Sequence, residues 1–117
     1  MVLRGIPSLV AVTLICCVLP VWGHAILVSA VPASNAVVTG RSVPVKLRFN
    51  SRIDGKRSRL ILVLPGGHER LLTGDQPSAD TLTSDLTELA PGSYILRWQV
   101  LAGDGHISRG EVPFRAQ

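Results

Sequence analysis

From residue 24 onward, apolar and polar positions alternate with period two, and no stretch keeps the spacing of an amphipathic helix. In the run from Val43 to Phe49, the apolar Val43, Val45, Leu47 and Phe49 fall on one side and Lys46 and Arg48 on the other. That predicts a half-buried strand, with Pro44 suited to its start or to a sheet edge. Tyr94, Leu96, Trp98 and Val100 alternate in the same way with Ile95, Arg97 and Gln99, which predicts a second strand with both aromatic rings in the core. Ala25 to Val31 reads as a first strand ended by Pro32 and the Ser34-Asn35 turn. Leu60 to Leu64 reads as a continuous apolar strand stopped by Pro65-Gly66-Gly67, with Arg70 to Leu72 returning antiparallel to it. Thr81 to Thr83 and Ile107 to Phe114 supply the remaining strands, while Asp54-Gly55 marks a turn and Asp75 to Asp80 a polar loop. About seven short strands between Gly, Pro and Asp turns predict an all-β, antiparallel Greek-key sandwich, and Pro91-Gly92-Ser93-Tyr94 has the form of a tyrosine corner.

The first segment breaks this pattern. Arg4 gives a positive start, Ile6 to Leu19 is a nearly unbroken apolar run, and Pro20-Val21-Trp22-Gly23 ends it. The run is short for a membrane span and leads into Val21 and Gly23, so it reads as a cleaved secretory signal of residues 1–23, an uncleaved anchor being the alternative. Residues 24–117 then form one domain whose first residue is His24. Cys16 and Cys17 leave with the signal, so the mature domain has neither cysteine nor methionine. A disulfide and a soft sulfur ligand are both excluded, and stability rests on a packed core. The mature domain keeps a modest positive excess. Arg52, Lys56, Arg57 and Arg59 cluster in one segment without interleaved aromatic residues, which reads as a solvated hairpin end and not as a nucleic-acid surface.

Histidine is scarce, with three in the chain, and two stand at telling places: His24 at the expected new terminus, and His106 in Gly103-Asp104-Gly105-His106 between the last two strands. An N-terminal histidine chelates a metal through its α-amino nitrogen and its own imidazole. His106 would add a third nitrogen and Asp104 a carboxylate oxygen. Three nitrogens and one hard oxygen favour Cu(II), the divalent ion at the top of the affinity order, over zinc and its preferred tetrahedron.

The chain resembles the CopC-type periplasmic copper-binding family. The matching pieces are His24-Ala25-x-Leu27-x-Ser29-x-x-Pro32-Ala33, Val45-x-Leu47-x-Phe49-Asn50, Pro91-Gly92-x-Tyr94-x-x-x-Trp98-x-Val100, and Asp104-Gly105-His106-x-x-x-Gly110 with Phe114 after it. The resemblance implies an Ig-like sandwich, a periplasmic location, and one Cu(II) ion held by His24, Asp104 and His106. It also implies a role in copper resistance or trafficking, with a separate membrane copper transporter of the CopD type as a partner. Two departures stand out. The segment from Leu64 to Pro77, where some members carry a Met-rich Cu(I) site, has no methionine, and its His68 reads as a hairpin-tip residue. Ser51 stands where members often have a glutamate near the metal.

A non-catalytic copper carrier is therefore the expected function, with no enzymatic activity. The alternatives are a copper oxygenase using a histidine brace, disfavoured by the small size and few aromatics, and a metal-free Ig-like interaction module.

Overall fold

A computed structural model describes residue 5 and residues 25–117; the rest of the expected signal segment, and His24, lie outside the described residues. The described chain is all-β. Nine strands follow in order: β1 (Leu27–Val31), β2 (Ala36–Val38), β3 (Val43–Phe49), β4 (Ile53–Val63), β5 (Glu69–Leu72), β6 (Asp75–Ser78), β7 (Thr81–Leu86), β8 (Gly92–Ala102) and β9 (Ile107–Ala116). One sheet has the order β1-β3-β7-β6 and the other β2-β9-β8-β4-β5, and together they make the sandwich that the alternation predicts, with the Ig-like form that the resemblance implies.

The two patterned strands form the core as expected. Val43, Val45, Leu47 and Phe49 are buried while Pro44, Lys46 and Arg48 are exposed, and on β8 Tyr94, Leu96, Trp98, Val100 and Ala102 point inward. Phe49 and Trp98 reach across between the sheets edge to face, with ring centroids 5.1 Å apart. Tyr94 stacks on Phe114 at 5.4 Å, and its hydroxyl donates to the Ala90 carbonyl at 2.6 Å, which closes the expected tyrosine corner.

The strand count exceeds the expected seven because two elements carry no readable alternation. β2 is three residues long and pairs parallel to β9, Ala36 opposite Phe114. β6 occupies the stretch read as a polar loop, and all four of its residues are exposed, so no apolar face announces it. The Asp54-Gly55 step is also not a turn. It lies inside β4, where the register against β8 shifts between Asp54 and Arg59, and where Asp54 accepts from the Lys56 backbone N–H while its carbonyl accepts from Ser58. The basic cluster thus rides on a bulge and not on a hairpin end. His68 does sit at the β4–β5 hairpin tip, its carbonyl accepting from Leu64 N–H at 2.7 Å.

Several strand ends gather at one end of the sandwich. Leu27 faces Phe49, Ile53 faces Ala102 and Leu101 faces Ile107, so the start of β1, the end of β3, the start of β4 and the β8–β9 turn meet there. Behind this end, Gly110 is opposite Trp98 in the β8–β9 ladder, and a β-carbon at 110 would lie 2.4 Å from the indole. Only hydrogen fits beneath the ring. Gly110→Ala is expected to cost about 1–3 kcal/mol through overpacking of a rigid indole. Denaturant unfolding followed by Trp98 emission checks it; an unchanged midpoint would show that the indole moves aside freely.

Candidate metal centre

The β8–β9 connection is the short turn Gly103-Asp104-Gly105. Ala102 N–H donates to the His106 carbonyl at 2.8 Å and Gly105 N–H donates to the Ala102 carbonyl at 2.9 Å, which closes the hairpin. Gly105 has φ of 91°, in the left-handed region where a β-carbon is costly, so the Asp-Gly step is dictated by the turn. The turn sets Asp104 and His106 side by side. One carboxylate oxygen, Oδ1, accepts from the His106 backbone N–H at 3.1 Å, and the other, Oδ2, lies 2.7 Å from His106 Nδ1. The backbone N–H of His106, and then its side chain, hold the Asp104 carboxyl below the usual aspartate range against a partial desolvation that raises it. The carboxylate is therefore charged at neutral pH.

The donor chemistry fits a first-row divalent metal. A hydrogen-bonded contact of 2.7 Å between Oδ2 and Nδ1 holds the two side chains together, so one turn presents a carboxylate and an imidazole side by side. His106 is largely exposed at its side chain and Asp104 less so.

The other predicted ligand, His24, lies outside the described residues, and among the described residues no third His, Cys, Asp or Glu joins Asp104 and His106 into a metal-holding group. What the fold does define is the chain that follows it. Ala25 is buried, and Ile26 is gripped at both backbone groups by Asn50: its N–H donates to Asn50 Oδ1 at 2.8 Å, and its carbonyl accepts from Asn50 N–H at 2.9 Å. Two residues on, the Arg52 carbonyl accepts from Gly103 N–H at 3.0 Å. The tripeptide Asn50-Ser51-Arg52 therefore holds the β1 arm on one side and the Asp104–His106 turn on the other. Between them, the Ser51 Oγ is buried without a hydrogen-bond partner. The anchoring role of Asn50 is not apparent in the sequence, where the residue figures only as part of a matching strand.

Known proteins agree with this architecture. The CopC domain family profile matches residues 27–117. The crystal structure of CopC from Methylosinus trichosporium OB3b is 32% identical, covers 80% of this chain and 94% of its own, and superposes with a TM-score of 0.72. PcoC from Escherichia coli, described as a methionine rich copper resistance protein, shares the fold at 18% identity, with a TM-score of 0.61 over 80% of this chain and 99% of its own. Protein YobA of Escherichia coli is 29% identical over 103 residues, 80% of this chain and 79% of YobA. On the profile match across the whole sandwich and the identity to a solved CopC, this chain belongs to the CopC family.

Proposed function

We propose that the protein binds one Cu(II) ion through the α-amino nitrogen and imidazole of His24, the imidazole of His106 and the carboxylate of Asp104. It acts in the periplasm, after removal of residues 1–23, as a non-catalytic copper carrier or buffer that can deliver its ion to a separate membrane transporter of the CopD type. The observation that carries this reading is the Asp104 Oδ2–His106 Nδ1 pair, held at 2.7 Å at the same end of the sandwich as the start of the described chain. Membership of the CopC family supports it. So does the donor set, nitrogen-rich with one hard oxygen, which ranks Cu(II) above the other divalent ions. No methionine follows Met1, so this chain lacks the thioethers a methionine rich relative could offer to Cu(I). A cleft of about 800 Å³, lined by Leu64, Pro65, Tyr94, Pro113 and Phe114 among others, lies at the opposite end of the sandwich, away from the proposed ligands. That separation favours a carrier over an oxygenase acting on a substrate in that cleft.

Mass spectrometry of the exported protein should show a mature chain beginning at His24, and Cu(II) titration followed by electron spin resonance should show a single type 2 signal at one equivalent. His106→Ala, or a glycine added before His24, should each weaken binding at least tenfold; full-strength binding by both would sink the site. The copper-loaded protein with a reductant should produce no hydrogen peroxide above that of free copper.

Asp104→Asn isolates the carboxylate. The amide oxygen can still accept from His106 N–H, so the turn should persist while Cu(II) affinity falls about tenfold or more. In the metal-free protein, the His106 amide resonance should shift as pH falls through the depressed Asp104 value. A group whose pKa is lowered by folding stabilises the turn above its ordinary value and loses that contribution on acidification. In Asp104→Asn the acid shift should vanish; its persistence would assign it to another group.

A further inference from the structure

Asn50 is the one described residue that fixes both backbone groups of the chain next to His24. Its own N–H and its side-chain oxygen close a two-point grip on Ile26, extending the β1–β3 ladder beyond the Leu27–Phe49 pair. The grip is needed because little else holds the arm there. Ile26 is 59% exposed, and β1 carries a register shift between Leu27 and Ser29 that loosens its regular pairing. Ala25 is buried, but a single methyl sets depth and not direction. Asn50 is also two residues from Arg52, whose carbonyl holds the turn bearing Asp104 and His106. One short segment therefore ties together two elements, Ile26 lying 24 residues before Asn50 and Gly103 lying 53 residues after it.

We propose that Asn50 is a positioning residue of the metal centre: by gripping Ile26 it fixes the chain two residues after His24 at the end of the sandwich that carries Asp104 and His106, which favours one Cu(II) ion shared between that turn and the N-terminal histidine. The inference rests on the copper reading above. Its physical basis is that an N-terminal chelate assembles from one residue, whereas joining it to a remote imidazole–carboxylate pair requires the arm to be held. Without the side-chain bond, the arm's freedom returns and must be lost again on binding. The Asn50 backbone N–H keeps its bond to the Ile26 carbonyl in any substitution except proline, so the sandwich itself stays closed.

The test uses the mature protein with Asn50→Ala and Asn50→Asp. In Asn50→Ala, the Cu(II) Kd measured by chelator competition should rise about 10- to 100-fold, the range found when groups orienting metal ligands are removed. The copper hyperfine splitting should change, and the Ile26 amide should exchange faster with solvent. Asn50→Asp keeps an oxygen acceptor and should return all three readouts toward wild type. Should Asn50→Ala fail to fold, Asn50→Gln, which lengthens the grip by one methylene, carries the same expectation of weaker binding. A wild-type Kd and spectrum in a folded Asn50→Ala or Asn50→Gln protein overturns the proposal while leaving the copper site standing. A wild-type protein whose copper signal is indifferent to His106→Ala and to the added N-terminal glycine overturns both.

Discussion

The chain crosses from β3 in one sheet to β4 in the other through Asn50, Ser51 and Arg52, and the backbone groups of this crossing hold the candidate metal end together. Asn50 binds Ile26 on the side of the four-stranded sheet, and Arg52 binds Gly103 on the side of the five-stranded sheet. A sandwich buries its two faces well but leaves its strand ends to loops, whose polar backbone groups need partners. Here those obligatory hydrogen bonds tie an edge-strand arm to a hairpin turn. The place of the Asp104–His106 turn beside the start of β1 thus follows from backbone satisfaction at a sheet crossover, and the core beneath, with Phe49 against Trp98 and Trp98 over Gly110, keeps that crossover in place.

The Asp104–His106 pair contributes little to the stability of this end. Exposed ion pairs are worth at most about 1 kcal/mol and often nothing measurable. Its short contact follows from the turn: the Asx-type hydrogen bond and the left-handed Gly105 set the carboxylate beside the imidazole. The Ser51 hydroxyl is buried without a partner, which is unfavourable, and a serine there adds no carboxylate donor. With serine there, the proposed donor set stays at His24, His106 and Asp104.

Much of the fold was legible because β3 and β8 each bury one face and expose the other, and nothing but a half-buried strand gives that period. β6 was illegible for the opposite reason: all four residues are exposed, and its strand character comes only from hydrogen bonds to β7. β2 is too short for any period and depends on the end of β9. At Asp54-Gly55, the local turn preference lost to pairing with β8 and survived as a bulge. Among the site residues, Asp104 and His106 were visible since an Asp-Gly step with a following histidine is a local signal. Asn50 was not, because its partner Ile26 is 24 positions away and the contact is to backbone, which leaves no mark on side-chain chemistry.

The division of labour at the proposed site explains why a small sandwich suffices for it. An amino-terminal histidine needs only its own atoms to chelate, so the protein need not build a cage; it has only to hold two preformed halves together. The described half is already set, with the turn closed by backbone hydrogen bonds and the carboxylate kept charged. Ligand binding to the folded state alone adds stability by mass action, about 2.7 kcal/mol at a hundredfold excess over Kd. In this architecture that stabilisation would act on the junction between β1, the β3–β4 crossing and the β8–β9 turn, the elements an ion held by both halves would bridge. On the proposed site, copper occupancy and the order of this end would be coupled, since an ion that bound both halves would stabilise the folded arrangement it requires.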